Sequence, residues 1–398
     1  MLKGKLVKTA IVALCLLTLT GCWSRRELND LLIVLGIGFD WQDGQYLVSF
    51  QVVNPSEISA QKKSGDRPPT TLYQGRGRTM QEAARSLTAE APRKVYMGHL
   101  QLYVVSEELA KRGLHQFIDN ALRDNEHRMD FNVVIARGTR SENILKIYTP
   151  LEKLPTYSML HSLETSEKNW APTVSITMDD VLNKLSSEGN NLALTGIRLL
   201  GSVEEAEQKT NVETFLARSR YRYNGIAAFK KDKLIGWLNE AESKGYTDIW
   251  NKLQSTTIAI PCSPSSYTAI EITSSHSKLD TKVVGDTAEV TINIRSEGSV
   301  NERTCSHIDL LRPSTIKELE AQTAEIVHGN AEAAVKRAKS MKSDILGFGN
   351  KLSKDHPDYW EKVKENWDEK HFPQTKVNYK IQTFIRQTGT TGNSTVKF

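Results

Sequence analysis

An α+β protein of three domains, with mixed and antiparallel sheets and packed helices, is what this 398-residue sequence predicts. Three patterns carry that prediction. Alternating and helix-period runs are interleaved over the first half of the chain, as in a sheet covered by helices. Strand-period runs then follow one another between Thr257 and Ile294. A long helical pattern after Pro313 precedes a last alternating run, Val377 to Ile385. Composition is that of a globular chain, 39% hydrophobic and 25% charged, which excludes wholesale disorder.

The N-terminus reads as an export signal. Lys3, Lys5 and Lys8 precede an apolar run, Ala10 to Leu19, that is too short to span a bilayer as a mature helix. It ends in Leu19-Thr20-Gly21-Cys22, the pattern of a bacterial lipobox. The expected chemistry is transfer of a diacylglyceryl group to the Cys22 thiol and cleavage between Gly21 and Cys22. Residues 1–21 are then a lipoprotein signal peptide, and two or three acyl chains on Cys22 hold the rest stably to membrane lipid. A secreted protein with an incidental cysteine, or an uncleaved anchor, is the plainer alternative. Cleavage removes three lysines and no acid, bringing the +5 chain close to neutrality, and export argues against a nucleic-acid partner. The longest later apolar run, Leu31 to Ile37, contains Gly36 and is far short of a spanning helix.

The first domain is expected over residues 22–192. Leu31–Phe39 and Tyr46–Val52 read as strands about a turn at Gln42-Asp43-Gly44. Residues 54–78, with Pro55, Pro68 and Pro69, read as a long loop. Thr79 and Glu82 have capping-box spacing ahead of a helix. His99–Val105 is a strand, and Ser106 can cap the helix that follows it. Leu114, Phe117, Ile118, Ala121 and Leu122 make one helical face, Phe131–Ala136 a strand, and Ser141 opens a short helix ending near Pro150. A helix through Val181, Leu182 and Leu185 runs out at Gly189-Asn190-Asn191.

A small middle domain is expected over 193–255. It holds a strand at Ile197–Leu200, an acidic excursion to Glu213, a hairpin about Lys231-Asp232, and a helix from Glu240 to about Leu253. The third domain, 256–388, starts with strands at Thr257–Ile260, Thr268–Thr273, Lys278–Val283 and Ala288–Ile294. Thr315 and Glu318 are a second candidate capping box; Ile316, Leu319, Thr323, Ile326, Asn330 and Ala333 trace the inner face of the long helix. Trp360, Val363 and Trp367 line a further helix, and residues 389–398 are expected to be a disordered tail.

Signatures of catalysis are weak. There is no G-x-S-x-G and no H-E-x-x-H; Ser275-x-x-Lys278 and Ser394-x-x-Lys397 match only a two-residue core that arises by chance. Gly36-x-Gly38, Gly75-x-Gly77 and Gly347-x-Gly349 lack a third glycine and read as turn or close-packing glycines. Trp360 and Trp367 fit core packing better than ligand stacking. The histidines form no cluster, and no zinc-ligand spacing or cofactor motif stands out. Cys15 leaves with the signal; Cys262 and Cys305 read as separate buried thiols in preference to a disulfide, because a chain of this size needs no staple. Arg218, Arg220 and Arg222 recur at period two, either as the solvated face of an edge strand or as a contact strip for an anionic surface or partner.

One set of motifs runs the length of the chain. Cys22-Trp23 leads to Arg26-Glu27-Leu28-Asn29-Asp30 and Gly36-Ile37-Gly38-Phe39-Asp40. Gly225-Ile226-Ala227-Ala228-Phe229-Lys230 and Leu234-Ile235-Gly236-Trp237-Leu238 follow. Asp344-Ile345-Leu346-Gly347-Phe348-Gly349, Trp360, Trp367, Phe372-Pro373 and Ile385-Arg386-Gln387-Thr388-Gly389 complete the series. In this order they resemble the Ger(x)C lipoproteins, the C subunits of spore germinant receptors, with Ser24 standing where the family usually has an acid. The resemblance implies a non-enzymatic receptor subunit on the outer face of the spore inner membrane. Two integral-membrane subunits would be its partners and a small-molecule germinant its candidate ligand. It transfers a defined chemical role only to Cys22. A solute-binding lipoprotein of an importer is the alternative, and would need two α/β lobes around a cleft; a wall-modifying enzyme would need a catalytic constellation.

Overall fold

The computed structural model describes Gly4 and residues 30–58, 67–123, 128–305 and 308–389. Cys22 and residues 390–398 of the expected tail lie outside the described residues. Two sheets organise the rest, and together with packed helices they make the α+β fold anticipated from the patterning.

The first sheet is mixed. Its strands are β1 (Leu31–Gln42), β2 (Gln45–Val53), β3 (Thr70–Gly77), β4 (Lys94–Tyr96), β5 (Leu102–Ser106), β6 (Asn132–Ala136), β7 (Ala193–Leu200), β8 (Arg220–Lys230) and β9 (Lys233–Leu238). They lie in the order β3-β2-β1-β5-β6-β7-β8-β9, with β4 beside the start of β1. The four central strands β1, β5, β6 and β7 run parallel, and antiparallel hairpins flank them. The expected middle unit, 193–255, therefore shares its strands' hydrogen bonds with the first: the sheet runs on through residue 192 without a break.

Both faces of this sheet are covered, which is why β5 and β6 read as nearly continuous Val, Leu and Ile. On one face lie α1 (Met80–Ser86), α2 (Glu107–Arg112) and α3 (His115–Arg123), which bury Met80, Ala83, Leu109, Leu114 and Phe117. On the other lie α4 (Ser141–Leu145) and α5 (Pro155–Asn169), which bury Ile144, Leu145, Met159 and Leu163 against Leu102, Val104 and Val134. Leu122, expected inside, is 56% exposed; the α3 face narrows to Leu114, Phe117 and Ala121. The helix through Val181 is α6 (Met178–Ser186), opened by a full capping box between Thr177 and Asp180.

Two elements replace the expected long loop and its surroundings. Strand β3 fills the second half of 54–78, and α5 occupies the stretch beyond Pro150, with Pro155 in its first turn. The Thr79 hydroxyl accepts from the Glu82 N–H at 3.1 Å as expected, but the Glu82 carboxylate accepts from the Arg78 N–H, one residue upstream of the cap.

The second sheet holds β10 (Thr256–Ser263), β11 (Ser266–Val284), β12 (Thr287–Arg303) and β13 (Lys376–Gln387) in that order. The first three form an antiparallel meander; β13 returns parallel to β12. Strand β11 is one 19-residue strand where two were expected, since a bulge at Ile272/Ser274 carries it past Ser274 without leaving the sheet. The register places Thr268 opposite Arg303, next to the ends of β10 and β12, and Cys262 and Cys305 form a disulfide with Cα atoms 6.3 Å apart. That overturns the expectation of separate thiols: the meander brings together two cysteines 43 residues apart in sequence.

Helix α7 (Glu240–Ile249) links the sheets and crosses α8 (Pro313–Ser340), the 28-residue helix covering the second sheet. A Cβ on Gly245 would stand 2.0 Å from the Asn330 carbonyl oxygen, so only glycine permits this crossing. Pro313 occupies the first turn of α8 and Arg312 is its cap, so Thr315 lies inside the helix and forms no box with Glu318. The buried face runs Leu319, Thr323, Val327, Ala331, Ala334, Val335 and Ala338, one residue on from the expected Ile326, Asn330 and Ala333. Helices α9 (Phe348–Asp355) and α10 (Pro357–Val363), a π-helical turn at Trp367–His371 and the last strand complete the chain.

Candidate functional site

Three places could carry function: the junction built by the Asp344–Gly349 motif, the arginine ladder, and the cavities. The junction accounts for most of the C-terminal motif residues. Asp344 is fully buried. Its carboxylate accepts from the N–H groups of Phe348 (3.1 Å) and Gly349 (2.7 Å) and from the Trp367 indole (2.8 Å). Its own N–H donates to Asp368 at 2.9 Å, and its carbonyl accepts from the Asn191 N–H at 2.8 Å. The Asn191 amide donates to Asp368 at 2.8 Å. Burial raises the Asp344 pKa to about 7 against the opposing pull of these donors.

Backbone meets backbone at the same place. The Asn350 N–H donates to the Gly189 carbonyl at 2.9 Å, and Cβ atoms on Gly189 or Gly349 would fall within 3 Å of the other segment. Trp360 and Trp367 stack edge to face with centroids 5.5 Å apart, each nearly buried, and the Trp360 indole donates to Glu188 at 2.6 Å. These tryptophans and glycines thus do packing work, welding the end of the first domain to the C-terminal helices. They leave no face for a ligand.

The arginine ladder is only partly a strip. Arg220 and Arg222 are exposed on β8, whereas Arg218 precedes the strand and lies 3.6 Å from Glu205. The intervening tyrosines point to the other side: the Tyr221 hydroxyl meets Ser158 and Ser162 at 2.8 Å each, and the Tyr223 hydroxyl donates to the Met159 carbonyl at 2.6 Å. Just upstream, Phe215 is fully exposed and Leu216 is 74% exposed. Sequence reasoning missed Arg198, which the register sets opposite Arg222.

A cavity of about 1070 Å³ lies between α1, α3 and the strands beneath them. Tyr46, Phe50, Met80 and Met97 form its apolar floor, with Arg78, Arg85 and Arg123 among its rim. A second, of about 300 Å³, sits between α7, α8 and the second sheet beside Asp248. The Asp248 carboxylate accepts from the Ser275 hydroxyl at 2.7 Å, and burial lifts its pKa to about 6. Ser275 is thus a buried structural hydroxyl, while Lys278 is exposed and pairs with Asp280, so the Ser-x-x-Lys match is no dyad. Among the described residues no group of three or more His, Cys, Asp or Glu could hold a metal ion. No described helix is long and apolar enough to cross a membrane.

The two features that stand out are thus a satisfied structural junction and an exposed basic edge. Comparison with known families names the class of protein: residues 24–199 match the spore germination protein N-terminal domain, and residues 224–389 match the C-terminal domain described as spore germination B3/GerAC like. The chain belongs to this GerAC-like family and is a non-enzymatic spore germination receptor subunit. Among its relatives in Bacillus subtilis (strain 168), spore germination protein KC is 29% identical, over 98% of this chain and 97% of that protein. Spore germination protein A3 is 24% identical over 97% and 99%. The crystal structure of the GerBC protein has the same fold, with a TM-score of 0.56 at 19% identity, covering 88% of this chain and 97% of that one. Family membership carries association with other germination-receptor components and with a membrane.

Proposed function

We propose that this chain is the lipid-anchored subunit of a nutrient germinant receptor. In this reading the diacylglyceryl group on Cys22 holds it to the extracytoplasmic face of the spore inner membrane, beside two integral-membrane subunits. The supporting observation is positional: the N-terminal family match opens at residue 24, two residues after the lipobox cysteine, and the C-terminal match runs on to 389. Tethering raises effective concentration, so weak lateral contacts with membrane subunits suffice for assembly. Residues 22–192, 193–255 and 256–388 are its proposed working units, the first two joined through one sheet, with Arg218, Arg220 and Arg222 as candidate partner contacts. The groove between α1 and α3 is where a small-molecule germinant would fit on this chain. An importer's solute-binding lipoprotein is disfavoured by the second sheet, a meander capped by one long helix, which is not a second α/β lobe.

The test is genetic. Spores lacking the gene are expected to ignore one class of nutrient germinant and to germinate normally with dipicolinate or a surfactant. Unchanged responses to every nutrient, in a strain without a duplicate receptor, would overturn the reading.

A further inference from the structure

Arg198 of β7 and Arg222 of β8 are register partners on adjacent antiparallel strands, and both are exposed. Like charges directly opposed across a strand pair are destabilising, so a sheet selected for stability alone would not place them there. Neither guanidinium has an ion-pair or hydrogen-bond partner among the described residues. Arg220 continues the row two residues before Arg222 on the same strand.

A fourth arginine adds to the field. Arg137 stacks 4.4 Å over the Trp237 ring, donates to the Asn224 side chain at 2.9 Å, and lies within electrostatic reach of Arg198. Arg137 and Arg222 line one pocket of about 300 Å³. The bordering carboxylates are already engaged: Glu107 with Lys111 at 2.7 Å and the Trp237 indole at 3.2 Å, and Glu240 with Lys244 at 3.4 Å. Glu107 also lies within electrostatic reach of Arg137, so the charge left without a partner among the described residues is that of Arg198 and Arg222.

The patch and the first described residues of the sheet lie toward opposite ends of the parallel strands. Strands β1, β5, β6 and β7 run parallel, so Leu31 lies at the end of the sheet where β7 begins. Arg198 and Arg220 lie toward the end where β7 finishes. Cys22 lies nine residues before Leu31 in the sequence. The exposed Phe215 and Leu216 stand a few residues before Arg220, offering apolar anchors that a simple anion would not use.

We propose that Arg137, Arg198, Arg220 and Arg222, with Phe215 and Leu216 at their border, dock an acidic polypeptide segment of a membrane-embedded receptor subunit. The proposal rests on the receptor-subunit reading and revises its contact strip, dropping Arg218, which Glu205 occupies, and adding Arg198. Carboxylates of the partner complete the charge pairs that the β7–β8 register leaves open.

The test uses the full-length lipidated chain, solubilised from membranes in mild detergent with its co-expressed membrane subunits. Arg198→Glu with Arg222→Glu is expected to lower co-purification about tenfold or more, with Arg218→Glu near wild type, as for a docked charge pair against a satisfied one. Arg198→Gln with Arg222→Gln serves as the folding control, and relief of repulsion should hold or raise its melting temperature. Undiminished recovery of the subunits by the double Glu variant, while wild type recovers them, overturns this proposal alone. Failure of wild type to recover any membrane subunit overturns the receptor-subunit reading with it. In a parallel arm, Cys22→Ala protein is floated with vesicles containing phosphatidylglycerol. Binding there that is lost on Arg198→Glu with Arg222→Glu would assign the patch to lipid and overturn the peptide proposal.

Discussion

The indole N–H of Trp367 donates to the carboxylate of Asp344 across 2.8 Å, with both residues buried. Twenty-three residues separate them, and the bond closes the C-terminal helices onto the segment that also grips Asn191 and Gly189. It is therefore a test point for the joint between the two sheets.

Asp344→Ala strands the N–H groups of Phe348, Gly349 and Trp367 in a dry interior. At roughly 1–3 kcal/mol per orphaned group, the expected loss is about 4 kcal/mol or more. Urea unfolding of the Cys22→Ala chain with and without the substitution measures it, and a loss below about 1 kcal/mol would contradict the role assigned to the junction.

Stability should also depend on pH through Asp344 and Asp248, whose folded pKa values are raised to about 7 and about 6. Between the ordinary aspartate value and these, the folded chain keeps protons that the unfolded chain has released. Raising pH then favours unfolding, so this contribution is full below about pH 4 and lost by about pH 7, at up to roughly 1.4 kcal/mol per pH unit per group. Asp248→Asn should roughly halve the slope below about pH 6, leaving the share that belongs to Asp344. An unchanged slope, from melts in buffers of matched ionic strength, would exclude Asp248 as a source.

Gly349→Ala is expected to cost about 3 kcal/mol, since the new Cβ would lie 2.7 Å from the Trp367 indole nitrogen and 2.8 Å from the Gly189 Cα. Gly138→Ala, at φ +68° with open space around it, should cost only about 1–2 kcal/mol from backbone strain. Equal midpoints in urea for the two variants would show that close approach is not what excludes a side chain at 349.

Removing the Cys262–Cys305 bridge by paired serine substitution should destabilise the second sheet by about 2–4 kcal/mol, as expected for a loop of this length. Non-reducing mass spectrometry of the purified protein should show the linked peptides two hydrogens lighter than the reduced pair. Full-mass free thiols would refute the pairing.

Cys22→Ala should leave the chain unlipidated and released from the bilayer fraction once partner proteins are washed away, because no described helix can hold it there. Membrane fractionation decides this, and firm retention would remove the lipobox from the account.

Strands buried on both faces were legible in the sequence because they needed no partner to be recognised: β5 and β6 are plain apolar runs. Strand β3 was not, because it carries Gly75 and Gly77, which look like loop residues. In the fold they let α1 approach, a Cβ on Gly75 falling 1.9 Å from the Ala83 carbonyl oxygen. Helix α5 hid behind a polar face rich in Ser, Thr and Glu. The period of the arginine ladder could be read within one strand. Its facing partner Arg198 and the pairing of Cys262 with Cys305 are properties of strand register, set by contacts distant in sequence.

The parallel pairing of β12 with β13 has a consequence for the order of events during biogenesis. From Glu289 opposite Lys376 to Ser299 opposite Gln387, the second sheet is closed by the last described strand, after an excursion of more than 70 residues through α8, α9 and α10. On the proposed export route the chain would cross the membrane N-terminus first and expose β10 to β12 while β13 is still inside the translocation channel, and such distant pairing is slow. Until then β12 offers an open edge, the kind of surface on which neighbouring chains aggregate. Both cysteines precede the excursion, so their bridge can secure the meander before its last strand arrives. On that route, chaperones that shield this edge are the factors on which the yield of the protein should depend.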